Sequence, residues 1–190
     1  DPIDRNGHGT LIAGVIGARG DNATGGTGVC RRASIMAVKV LDAAGNGTTS
    51  SVVDGITFAA ANGAKVITLC LVTHAFDQAV YDAIKSVREK GVLVVAAAGN
   101  DAADIDGAAS AYPAAYDLDN ILCVTALDQN FSLARFANSG AVSIDIAAPG
   151  VNILNAWAGT TSSLSETFST GWTAGDTNHP GTSGWGSSWE

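Results

Sequence analysis

Residues 92–98 read "VLVVAAA", an uninterrupted apolar run of strand length. A strand without a polar face belongs inside a parallel sheet, where helices cover both sides. The segment ahead of it fits. "FDQAVYDAIKSVREKG" (76–91) puts Ala79, Val80, Ala83, Ile84 and Val87 on one helical face and ends on Gly91, a residue suited to a helix C-cap. Further strand patterns stand at 33–41 ("ASIMAVKVL"), 64–72 ("AKVITLCLV"), 120–127 ("NILCVTAL") and 142–150 ("VSIDIAAPG"). A helical pattern spans 50–62 behind a Ser/Thr cap. Strands alternating with helices over short links predict an α/β sandwich on a mainly parallel sheet.

Residues 8–18, "HGTLIAGVIGA", are small and apolar throughout and predict a buried helix, with Gly14 and Gly17 allowing close approach. From Trp157 onward the order dissolves. Residues 158–190 are rich in Gly, Ser and Thr, and no helix of useful length is expected there. The expected organisation is one domain over 1–160 and a divergent tail with little regular structure over 161–190.

The composition excludes several classes. With 46% hydrophobic residues the chain is globular, not disordered. A net charge of −8, and no basic cluster beyond Arg31-Arg32, argues against a nucleic-acid partner. No apolar run reaches the roughly 18 residues that would span a membrane. Cys30, Cys70 and Cys123 show no CxxC spacing and predict neither a zinc site nor a dense disulfide framework. Neither a GxGxxG nor a GxxxxGK[ST] loop follows a strand, which removes the common nucleotide-binding readings.

Sites on such sheets gather beyond the carboxyl ends of the strands. Asn100 follows "VLVVAAAG" at such an end, where a carboxamide could donate to a developing oxyanion; a plain turn is the other reading. His8 stands at a helix start, where an imidazole can act as a general base or simply cap the helix. His74 and His179 sit in loops without supporting neighbours.

Together the motifs are similar to those of the subtilisin-like serine peptidases, nearest in style to the proteinase K-like branch. "NGHGTLIAGVIGA" resembles the catalytic-histidine segment, "ASIMAVKVLDAAGNGTTSSVVDGITFA" the segment that follows it, and "GVLVVAAAGND" the oxyanion-asparagine segment. "AYPAAYDLDNILCVTALDQN", "ARFANSG" and "DIAAPGVNIL" then recur in family order. The resemblance covers residues 4–165. It implies a serine endopeptidase that cleaves an extended polypeptide substrate through an acyl-enzyme, secreted by ancestry. His8 matches the general base and Asn100 the oxyanion donor. Gly45 and Gly47 match the edge that pairs with substrate, and Ala97, Ala98 and Gly99 one wall of the P1 pocket. The loop "RGDNATGGTG" (19–28) stands where some members bind calcium; Asp21 and Asn22 are candidate ligands, but two do not make a site.

The resemblance also breaks down at named positions. The family's triad aspartate lies on a strand well upstream of the histidine, whereas His8 has seven residues before it, and neither Asp1 nor Asp4 is expected to take that role. Where the family writes Gly-Thr-Ser-Met-Ala, this chain aligns Glu166, Thr167 and Phe168, with Phe168 on the nucleophile. Ser169 is one residue late, a rotation of about 100° on a helix. Ser183, in "GTSGWG", lies later still among glycines. Val72 replaces a pocket-wall glycine and is expected to obstruct the P1 pocket. The expected fold is therefore a subtilisin-like three-layer sandwich missing its first strand and its nucleophile helix. It would turn over little by itself and would need a missing N- or C-terminal segment, or another chain, to be complete. A fragment, a frame-shifted product and a pseudoenzyme that binds peptides or regulates all stay open.

Overall fold

The computed structural model describes residues 3–23, 25–153 and 155. Its elements are α1 (His8–Gly17), α2 (Thr49–Ala61), β1 (Val66–Leu69), α3 (Gln78–Arg88), β2 (Leu93–Ala97), β3 (Ile121–Leu127) and β4 (Ile146–Pro149). The strands form one parallel sheet of four in the order β1-β2-β3-β4. Leu69 lies opposite Ala96, and Ala97 opposite Val124. The chain is thus an α/β protein. The 161–190 tail, together with Asp1, Phe168, Ser169, His179 and Ser183, lies outside the described residues.

Local chemistry fixes the helices. The Asp77 side chain accepts the N–H groups of Ala79 and Val80 at the start of α3, and Lys85 and Arg88 occupy its last turn, where cations suit the helix dipole. Gly91 ends it, with the Val92 N–H donating back to Val87 O at 3.2 Å. Thr48 and Ser51 cap α2 reciprocally, each side chain taking the other's backbone N–H. Phe76, Tyr81, Tyr112 and Tyr116 pack around the start of α3, where the Tyr116 hydroxyl donates to Asp77 O at 2.9 Å.

The core joins Val52, Ile56 and Ala59 of α2 and Val80, Ala83, Ile84 and Val87 of α3 to Ile67, Leu69 and Val94 of the sheet. Ala79, expected on that buried face, is exposed at the edge of the stripe in the first turn. A second cluster of Val72, Ala96, Ala98, Ile105 and Cys123 fills the carboxyl end of the sheet.

Three expectations need correction. Residues 33–41 form no strand: among the described residues, 34–40 make no backbone–backbone hydrogen bond, and only Leu41 bridges, to Gly47. β-branched residues keep a chain extended, but a strand exists only through its ladder. Val38 and Val40 instead lean on the α2 core. Secondly, α2 and α3 cover one sheet face; on the other, Val66 is 55% exposed and Ile146 50%. Thirdly, α1 is not buried throughout, since only Gly14 falls in the buried class. Its apolar residues surround the whole helix, so no single packing partner can cover them.

Candidate active site

His8 is the first residue of α1, behind Gly7, which lacks a side chain to cap the helix. Asp4 does that work instead. Its Oδ1 accepts the N–H groups of Asn6 (2.9 Å) and Gly7 (2.8 Å), and its Oδ2 accepts the Thr10 N–H and hydroxyl, both at 2.8 Å. Burial pushes the Asp4 carboxyl up, but these bonds outweigh it and bring the group down to about 2.

The imidazole reaches across to the sheet, where Nε2 lies 3.0 Å from Cys70 O, just past the end of β1. A carbonyl oxygen only accepts, so Nε2 carries the proton and the neutral ring's lone pair is on Nδ1. Burial pulls the His8 imidazole below its ordinary value, partly offset by the bond to Cys70 and the Asp4 charge. The ring is therefore mainly neutral at pH 7. The Cys70 thiol, pushed up to about 11 by burial, is no nucleophile.

Asn100 follows β2 in a half-buried position, and its carboxamide makes no hydrogen bond among the described residues. β1 and β2 are parallel neighbours about 4.8 Å apart, with Leu69 facing Ala96. The Cys70 carbonyl that holds His8 and the Asn100 loop therefore lie beyond the same carboxyl edge. A neutral imidazole and an uncommitted amide donor at one edge can serve proton transfer and oxyanion stabilisation.

The other expected site residues separate. Gly47 is exposed, whereas Gly45 (φ +85°) is buried in the 42–46 turn. Ala97 and Gly99 are half-buried, but Ala98, at 1% exposure, belongs to the core. Val72 also turns inward, against Ala96 and Ala98, so its branched side chain does not stand in an open groove. In the 19–28 loop the Asp21 carboxylate is held by Arg31 Nη1 at 2.5 Å, and the described residues contain no cluster of three metal-ligating side chains. The one carboxylate of this loop is thus committed to a guanidinium.

Two contributors were not assigned from the sequence. Asp4, ahead of "GHGT", carries a legible N-cap signal. Asn138, in "ARFANSG", carries none, because its side chain bonds to residues 98–103, some 35–40 positions away.

Comparison with known proteins places this geometry in context. The subtilase family model matches residues 1–184. Thermitase from Thermoactinomyces vulgaris is 44% identical over 149 residues, covering 78% of this chain and 51% of thermitase. A thermophilic serine proteinase from Bacillus sp. (strain AK1) is 41% identical over 160 residues, covering 84% of this chain and 38% of that protein. Subtilisin Savinase from Lederbergia lenta is 44% identical over 158 residues, covering 83% and 56%. The crystal structure of a cold adapted subtilisin-like serine proteinase superposes with a TM-score of 0.69 at 34% identity, over 81% of this chain and 52% of that one. The chain thus spans 38% to 56% of the length of these three sequence relatives.

Proposed function

The chain belongs to the subtilase family, and from that premise we propose that it serves peptide-bond hydrolysis by acyl transfer, with a secreted, extended polypeptide-cleaving ancestry. His8 is the base and Asn100 the oxyanion donor. Gly47, Ala97 and Gly99 flank the substrate chain, with Gly45 and Ala98 supporting them from behind. The observation that carries this reading is the shared sheet edge, with the His8 ring on Cys70 O and the Asn100 carboxamide both beyond the carboxyl ends of adjacent parallel strands.

The resting pose also predicts weak turnover. Serine hydrolysis needs Nε2 to accept the nucleophile's proton, with Nδ1–H held by the triad aspartate. Here Nε2–H is given to Cys70 O, the opposite tautomer. The ring must release that carbonyl before it can act. Phe168 at the nucleophile position in the sequence points the same way, and the chain alone is proposed to be a poor catalyst.

The test is hydrolysis of a fluorogenic peptide set by the 190-residue chain, beside His8→Ala and Asn100→Ala. An oxyanion donor acts whether or not a serine is in place, so Asn100→Ala should cost about 10²–10³ in kcat. His8 separates two versions of the reading. With a working serine its loss costs on the order of 10⁶; without one it costs little, because triad members act as a unit. Hydrolysis indifferent to Asn100→Ala would refute the oxyanion assignment. Peptide binding with no hydrolysis in any variant would favour the alternative, a pseudoenzyme that holds or regulates peptides.

A further inference from the structure

We infer that Asn138 is the residue that aims Asn100, a positioning residue whose buried carboxamide fixes the loop carrying the oxyanion donor. The inference rests on the reading of Asn100 given above and adds a residue to it. Asn138 is fully buried, at 0% exposure. Its Nδ2 donates to Ala98 O at 2.8 Å and to Asp101 Oδ2 at 3.0 Å. Its Oδ1 accepts the N–H groups of Asp101 (2.9 Å) and Ala103 (3.0 Å). Its own N–H donates to Gly99 O at 3.2 Å, and its carbonyl accepts the Thr125 hydroxyl of β3 at 2.6 Å. Both donors and both acceptor positions of the side chain are used. Every one of the side chain's bonds goes to residues flanking Asn100, and none to Asn100 itself.

That distribution distinguishes a clamp from ordinary satisfaction of buried groups. Residues 98–103 leave the sheet and have no ladder beyond Ala98, whose N–H still bonds Val124 O at 3.0 Å. A loop in that position would ordinarily find its partners in water. Here the Asn138 carboxamide replaces water on both sides of Asn100, while its backbone carbonyl takes the Thr125 hydroxyl of β3 and the neighbouring Phe136 O and Ser139 N–H bond Ala102 and Ala103. The backbone conforms to it: Gly99 has φ +99°, and a Cβ there would come within 2.5 Å of Asn138 Nδ2. Only a carboxamide can serve. Aspartate lacks the donors and would set a carboxylate against Asp101, and leucine would leave every partner unpaired. The Asn100 carboxamide meanwhile stays uncommitted, its origin fixed and its donors available. An oxyanion donor acts only over 2.7–3.1 Å, so a drift of about 1 Å removes most of its benefit.

The experiment uses the whole ¹⁵N-labelled chain as wild type and Asn138→Ala, with native-state amide exchange and peptide hydrolysis measured on both. Exchange at the Asp101 and Ala103 amides should rise on the order of 100-fold relative to the Val94 amide, which reports the whole fold. Hydrolysis should fall by about 30- to 100-fold in kcat with little change in KM, and Asn138→Ala should have no further effect in an Asn100→Ala background. Exchange rising equally at Val94 would reduce Asn138 to a general stabiliser and overturn the inference. So would an unchanged penalty in the Asn100→Ala background. Should Asn138→Ala not fold, Gly99→Ala presses on the same clamp from the loop side and should loosen the same two amides. Asn100→Ala without effect on hydrolysis would defeat the oxyanion reading alone; the exchange data would then decide the clamp.

Discussion

The two halves of the candidate site are built differently. Asn100 stands at the end of a ladder strand, over a core in which Val94 and Ala96 are at most 1% exposed, and a side chain 35–40 residues away clamps its loop. His8 is seated by bonds within six residues, from Asp4 to Asn6, Gly7 and Thr10, and its ring reaches across to Cys70 O. Its helix is half-buried, and beside it the 34–40 segment has no ladder among the described residues. In the roles proposed above, a donor that must be still is over-determined by long-range contacts, and a base that must turn from one partner to another is seated mainly by short-range ones. The comparison predicts large, cooperative responses on one side and small, local ones on the other.

The largest expected response comes from the core under the first half. Ile84 is at 0% exposure between α3 and the sheet. Ile84→Ala removes three carbons and leaves a cavity, so it should cost about 3–4 kcal/mol in urea unfolding. A cost below about 1 kcal/mol would mean that the α3–sheet contact is loose, and the contrast would fail at its stronger end.

Next is the cap that seats His8. Asp4→Ala should cost about 1 kcal/mol, the ordinary value of a lost N-cap, discounted for solvent screening of a partly exposed carboxylate. Its pH dependence has a definite sign. The folded carboxyl titrates at about 2 against an ordinary 3.8, so its stabilisation is full above 3.8 and is lost as pH falls through 2. Wild type and variant should converge in acid. A difference persisting below that range would show that the side chain acts by packing and not by its charge.

His8 gives a smaller and opposite-facing test. With the imidazole below 6.5, the folded chain binds fewer protons than the unfolded chain just beneath that value, so stability rises as pH climbs to 6.5. An NMR titration should place His8 below 6.5, and Asp4→Asn should move it further down by removing the nearby negative charge. A midpoint above 6.5 would mean that the ring is better solvated than its bond to Cys70 O implies.

What could be read in advance follows the same division. "VLVVAAA" and the amphipathic 76–91 segment announced β2 and α3 because their information is local, a period and two caps. Gly91 closed α3 where the letters suggested, and the structure adds Asp77 as its N-cap. His8 and Asn100 stood out as candidates through short motifs. The 33–41 segment misled because strand composition speaks to extension and not to pairing. Val72 was expected in a groove and lies in the core, since a strand end can turn either way after its last rung. Asn138 was beyond reach of any local signal, as its partners meet it only after the parallel sheet has formed.

The smallest effect is also the sharpest test of the second half. Ile35, in the extended segment, is 45% exposed, although a Cβ on Gly17 would come within 3.0 Å of its Cδ1. A side chain with nearly half of its surface in water contributes little, so Ile35→Thr should change unfolding free energy by no more than about 0.5 kcal/mol. Threonine keeps the β-branch and so preserves the extended backbone, which confines the change to lost apolar contact. A cost above about 1.5 kcal/mol would require Ile35 to be buried in solution against a further surface. The His8 side would then be as firmly built as the Asn100 side, and the division between a fixed donor and a mobile base would have to be abandoned.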